Sequence, residues 1–463
     1  MKLKMSKEVD LGKEPIGHLL LILALPSITS QVVNALYNMV DRMYIGHIPE
    51  IGSAALTGVG VCFPLIMIIS AFAYLLGMGG APRASICMGR KDNKGAEKIM
   101  GNCFSSLIIV SIILTAVVLI FQEPVLYLFG ASENTIGYAK EYITIYAIGT
   151  IFVQLTLGMN SFISAQGFST ISMMTVCIGA VTNIILDPIF IFVFNMGVAG
   201  AAWATIISQA LSALWAVWFL SKGKSILRLK KENLRIDMKV LAPCIALGVA
   251  PFAMQATESV LVLCFNSSLL RYGGDLAVGA MTILSSVMQF AMLPLQGLTQ
   301  GGQPIISYNY GAMQAQRVKK AFRLQTIACF TYSSLLWAAV ELCPSLFVAI
   351  FTNEPQLSEI TVWALRIYMA AVLLMGIQVS CQQTFIAFGN SKISAFLAVF
   401  RKIIVLIPLI FILPQFMQDD VFAVFLAEPI ADTIAVITTA TLFAFEFKKV
   451  MRKMQEDAHP ASA

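Results

Sequence analysis

Asn183 and Asp187 lie four residues apart, which puts an amide and a carboxylate on one helix face, and Pro188 follows directly. Proline has no backbone N–H, so it frees a carbonyl one turn back and can kink a helix. A carboxylate, an amide and a freed carbonyl can hold a proton network or a sodium ion. The plainer alternative is that Asn183 and Asp187 bond each other while Pro188 shapes the helix. A second polar line, Gln31, Asn34, Asn38 and Asp41, also follows one helix face. Glu258, Glu428 and Asp432 are further acids inside apolar runs, the last two flanking Pro429. An ionisable group in hydrocarbon costs ~2.5–3.5 kcal/mol even on the lowest scale, so each needs a proton, an ion or a partner. Burial disfavours a charged carboxylate and so favours proton uptake, as a proton-binding carrier requires.

The elements that must position these groups are membrane helices. Of 463 residues, 58% are hydrophobic and only 12% charged, against ~25% charged in a soluble domain. Continuous apolar runs long enough for a ~30 Å hydrocarbon layer recur along the chain, which predicts an all-α polytopic membrane protein and excludes a barrel of short alternating strands. Twelve spans are expected, at 16–41, 52–76, 97–121, 137–160, 169–194, 197–220, 241–266, 276–300, 320–343, 360–386, 393–414 and 421–446. With both ends on one side, every Lys and Arg except Arg42, Lys140, Arg271 and Arg366 falls on that side. The positive-inside rule makes it cytoplasmic, in a cell (inner) membrane. Arg42 points about 100° from Asp41 and reads as an interfacial anchor. The net charge of +6 therefore reflects loops beside spans and calls for no nucleic acid. Nine cysteines without CxxC spacing and three scattered histidines, His18, His47 and His459, suggest neither a disulfide framework nor a metal site. The first apolar run lacks a cleavage pattern and is read as a retained helix.

The chain repeats itself. Gly79, Gly80, Pro82, Ser85 and Gly89 match Gly301, Gly302, Pro304, Ser307 and Gly311 at a constant offset of 222. The same offset pairs Lys98 with Lys320, Phe129 with Phe351, Tyr146 with Tyr368, Ala165 with Ala387 and Gly167 with Gly389. The expected organisation is an N-terminal six-helix lobe (1–220), a basic linker (221–240), a C-terminal six-helix lobe (241–446) and a cytoplasmic tail (447–463). Six spans per half is an even number, so the halves share one orientation and are related by a pseudo-two-fold axis along the membrane normal. Two such bundles around a cleft suit alternating access.

Twelve spans in two halves, with the stretches Asn38–Gly46, Asn183–Pro188 and Ala427–Asp432, resemble the multidrug and toxic compound extrusion (MATE) transporters, especially their bacterial members. The resemblance covers essentially the whole chain. It implies a cation-coupling site in the N-terminal lobe formed by Asp41, Tyr37, Asn183, Asp187 and Thr205, with Glu258 as counterpart of an acid in the seventh span. The tenth-span Asp of some relatives has no match here; Gln378 and Gln382 stand in that region. The implied function is a secondary active multidrug efflux antiporter, driven by protons or sodium, exporting cationic amphipathic compounds.

On that reading Gln31, Asn34, Asn38, Phe63, Asn160, Gln255, Gln378 and Gln382 are expected to line the substrate cavity. Phe and Met side chains offer cation–π and adaptable contacts to varied ligands. The partners are small cationic drugs or toxins and membrane lipid, the chain is taken as a monomer, and no cofactor is expected beyond the coupling ion. A lipid-linked oligosaccharide flippase is the nearest alternative, but it needs cations in the cleft for phosphate, and only Arg42, Lys140, Arg271 and Arg366 appear available. A channel would differ in showing no saturable, gradient-dependent flux. An integral membrane enzyme finds no support in a His/Asp pair, metal cluster or nucleophile motif.

Overall fold

The computed structural model describes residues 9–352 and 354–458; Lys2, Lys4, Lys7 and His459 lie outside them. The described residues are helical, with no strand. The first lobe holds α1 (Ile16–Gly46), α2 (Gly52–Gly89), α3 (Asn93–Leu128), α4 (Ile136–Ile148), α5 (Thr150–Ala165), α6 (Ser169–Pro188) and α7 (Gly197–Lys222). The second holds α8 (Met238–Gly311), α9 (Ala315–Leu342), α10 (Pro344–Ala349), α11 (Pro355–Tyr368), α12 (Val372–Ala387), α13 (Ser391–Val399), α14 (Ile407–Ile412) and α15 (Asp420–Ala458).

These elements make the twelve expected spans. Gly274, at φ 64°, breaks α8 into two arms. The pairs α4–α5 and α11–α12 are single spans bent by 57° and 48°, and α13 with α14 forms another. Among the described residues eight helical stretches, the α13–α14 stretch counted as one, are long and apolar enough to cross a membrane; α9 is not among them. It carries Gln325 and Ser333 inward, both buried. The Gln325 amide donates to Ser380 Oγ of α12 at 3.2 Å, and Ser333 Oγ donates to the Leu373 carbonyl at 3.1 Å.

The repeat is visible in the backbone. The two bends fall at equivalent places, Gly149 and the Met369–Ala371 break. Gly167 and Gly389, equivalent by offset, both adopt the left-handed conformation (φ 87° and 73°) that lets one span turn into the next. The lobes meet about a pseudo-two-fold axis through glycines that admit a neighbouring backbone. A Cβ on Gly79 would lie 2.2 Å from the Cys244 carbonyl oxygen, and on Gly248 1.8 Å from that of Leu75. In the other copy Gly301 and Gly297 press equally on Ala24 and Ile28 of α1.

All these contacts lie in the half of the molecule nearer the start of α1 and the end of α15. Toward the far side the inter-lobe contacts include Gln31 with Gln300 and Gln255 with Met67, near mid-span. Beyond them Asn34 and Asn38 are exposed. They sit opposite the exposed apolar stripe of α1 (Leu21, Leu25, Val32, Leu36, Met39, Met43) that faces lipid. An exposed polar face turned away from lipid lines a cleft that opens on the far side.

The stretch between the lobes is bound to the first one. Asn102 Oδ1 accepts from the Asp237 N–H at 2.6 Å, Ser105 Oγ donates to the Leu234 carbonyl, and Lys230 pairs with Glu97 at 2.7 Å. Gln166 accepts from the Leu227 N–H at 2.8 Å, and Leu227 is buried. At the other end α15 runs unbroken to Ala458 instead of stopping near 446. Met454 packs there with Leu11, Ile16 and Leu19.

Candidate functional site

Asp41 and Asp187 come together on neighbouring helices, α1 and α6, in the far half of the first lobe. Asp187 is fully buried and Asp41 is 9% exposed. Their carboxyls lie side by side. Asn183 Nδ2 donates to Asp187 Oδ1 at 3.1 Å and reaches Thr205 Oγ1 of α7 at 3.5 Å. That leaves Asp41 Oδ1, Asp187 Oδ2 and Asn183 Oδ1 buried with no protein partner. Three orphaned oxygens with two adjacent carboxylates is an arrangement that calls for a proton or a small cation between them, since like charges so close repel and bare buried acceptors are costly. Of the two readings of the Asn183–Asp187 pair, the structure shows the mutual hydrogen bond, and it leaves the second Asp187 oxygen free. Just beyond Pro188 the helix loosens into a π turn over Ile189–Val193.

Tyr37 stands near Asp41 and beside Gln209 of α7. Residues not anticipated from the sequence complete the shell. Tyr142 stands at Thr205, Tyr146 at Ser70, and Tyr74 closes on Tyr37. Tyr142 and Tyr146 stack at 6.2 Å along the bent fourth span. Their i, i+4 spacing, with Tyr146 already matched to Tyr368 by the repeat, was the available signal.

The residues expected to line a cavity are dispersed. Asn34 and Asn38 face the cleft. Gln31 and Gln255 are bonded across the lobe boundary, to Gln300 Oε1 at 3.0 Å and to Met67 Sδ. Gln382 reaches Met254 Sδ, and Gln378 is buried with Oε1 unpaired. Asn160 joins α5 to α6 through the Ser172 carbonyl, at 3.4 Å. Phe63 lies under the Arg42 guanidinium, 4.8 Å from ring centroid to Cζ.

Glu258 does not join Asp41 and Asp187. It belongs to the second lobe, where Lys402 donates to its carboxylate and, at 2.9 Å, to the Met254 carbonyl. Arg401 donates to Asp432 at 2.6 Å and to Glu428 at 3.0 Å. This corrects the sequence reading of Arg401 and Lys402 as residues of the basic side. They lie within the eleventh span, in a π-helical segment over Phe400–Leu406, ten residues beyond its start at Ser391 or roughly 15 Å along its axis. The acids of the second lobe supply their counter-charges.

Comparison with known proteins agrees with this architecture. The MatE family model matches twice, over residues 26–189 and 251–412. The multidrug export protein MepA of Staphylococcus haemolyticus is 24% identical over 421 residues, covering 90% of this chain and 92% of that protein. Its namesake in Staphylococcus aureus is 25% identical over 401 residues, covering 87% and 88%. A crystal structure of a MATE protein in its bent conformation superposes with a TM-score of 0.91 at 21% identity, covering 98% of this chain and all of that one.

Proposed function

Because the chain belongs to the MatE family of membrane transporters, we propose that it is a cation-coupled multidrug exporter working by alternating access. The observation that carries the reading is the Asp41–Asp187 pair, with its orphaned oxygens, in a lobe that borders an open cleft. The coupling ion is a proton or sodium held by Asp41, Asp187 and Asn183, with Thr205 and Tyr37 beside them, and no other cofactor takes part. The substrates are cationic amphipathic small molecules, in keeping with relatives called multidrug export proteins. Both chain ends face the cytoplasm, so the cleft described above opens outward, and the chain acts as a monomer in the cytoplasmic membrane.

In the outward-open state an ion enters between the two carboxylates and cancels their repulsion. The neutralised lobe then rearranges around Pro26 in α1 and the π turn after Pro188, and the lobes close outside and part inside. Transport requires that ion and drug bind the two states with different affinities. A flippase needs unpaired cations for phosphate, whereas Arg401 and Lys402 are committed to acids, which favours the exporter.

The test is ethidium export from proteoliposomes with proton and sodium gradients imposed separately. Export driven by one gradient is expected; export indifferent to both gradients overturns the reading.

A further inference from the structure

The buried ion network of the second lobe has a count that its neutral surroundings make significant. Arg401 and Lys402 face three carboxylates, Glu258, Glu428 and Asp432. With all five ionised the group carries one formal negative charge. The acids differ in access: the Asp432 and Glu428 side chains are 1% and 7% exposed, and that of Glu258 is 55% exposed. Lys402 lies beneath Glu258 at 8% exposure.

Glu258 points into the cleft. It lies one turn past Gln255, which reaches α2 of the other lobe. On the same arm the exposed Val249, Val260, Leu263 and Leu270 lie on the opposite face, and the exposed Val262 shares the face of Glu258. The excess charge is therefore offered to the cleft through one carboxylate, while the other two are sealed behind Arg401.

We propose that this network is a substrate-charge gauge: it accepts one positive charge at Glu258, and Lys402 sets that number by standing as a tethered cation under the carboxylate. The site takes a monocationic amphipath, whose charge brings the network to neutrality. A dication leaves an uncompensated positive charge close to Lys402 and Arg401, which disfavours its binding. This rests on the export reading above, because it assigns the chemistry of the substrate. It is separate from the Asp41–Asp187 pair, which lies in the other lobe.

Ethidium (one charge) and propidium (two) share a ring system, so the ratio of their affinities for the purified full-length protein isolates the effect of charge. Lys402→Met and Lys402→Gln each raise the network to two negative charges and are expected to shift the ratio toward propidium by about tenfold, the size of one screened charge contact. Lys402→Arg keeps the charge and the wild-type ratio. Glu258→Gln makes the network neutral and weakens ethidium binding by about tenfold. A ratio unmoved in both Lys402→Met and Lys402→Gln, or a wild-type protein that binds neither dye, overturns the proposal. If the ratio stays put while ethidium export remains gradient-driven, only the gauge fails; if export ignores both gradients, the export reading itself fails.

Discussion

Gly89 and Gly311 occupy equivalent places in the two copies of the repeat, and each rests on the other copy's helix. A Cβ on Gly89 would lie 2.0 Å from the Tyr308 carbonyl oxygen, and one on Gly311 2.0 Å from that of Ile86. Ile86 and Tyr308 are themselves separated by the repeat offset, so the contact is self-complementary, as across a two-fold dimer interface. It closes the side of the molecule that holds the start of α1 and the end of α15. Gly89→Ala or Gly311→Ala should oppose that closure by about 1–3 kcal/mol, the usual cost of overpacking. The expected readout is a lower melting temperature and greater labelling, by a membrane-impermeant thiol reagent, of a cysteine placed at Ile28.

Asp187→Asn and Asp41→Asn each remove one of the paired carboxylates and keep the side-chain shape. Gradient-driven ethidium export should fall to background at normal expression, and substrate binding without a gradient should persist. Retained gradient-driven export in either variant would remove that residue from the coupling site.

Arg401→Met leaves Glu428 and Asp432 buried without their counter-ion. Breaking a buried ion pair from one side costs about 3–5 kcal/mol. The variant should melt far below wild type in detergent, and the triple change Arg401→Met, Glu428→Gln, Asp432→Asn should recover much of the loss. Lack of any recovery would mean that Arg401 acts through packing and not charge.

Asp237, at the start of α8, responds to pH outside the membrane. Lys98, at 2.7 Å, holds its carboxyl below the usual aspartate range, aided by the Lys239 N–H. A carboxylate whose folded pKa is depressed contributes stability in full above its unfolded value, near 3.8, and loses it as pH falls through the lower folded value. The melting-temperature difference between wild type and Asp237→Asn should therefore be constant from pH 7 to about 5 and vanish on further acidification. A difference that does not depend on pH would mean that the Asp237 charge itself contributes no stability.

The twelve spans were legible because apolar length is a local property, and the Asn183–Asp187 spacing because helical periodicity is local too. Even the symmetry of the bends was foreshadowed by the offset that pairs Gly167 with Gly389. What escaped were facts of tertiary pairing. Arg401 and Lys402 stand ten residues past a turn, where a basic residue is read as belonging to the interface. Only the placement of Glu258, Glu428 and Asp432 on other spans makes their burial tolerable. Tyr74, Tyr142 and Tyr146 were missed for a related reason: a tyrosine in an apolar run has no charge to flag it. Glu258 was read as an acid of the seventh span, in the second lobe, but its pairing with Lys402 of the eleventh span was not.

The modest apolarity of α9 bears on what holds the second lobe together. Its inward hydrogen bonds go to Ser380 and the Leu373 carbonyl, both on α12. Hydrocarbon offers no partner to a buried amide or hydroxyl, so the tenth span supplies the ninth with what lipid lacks, and the two are joined by polar contacts as well as by packing.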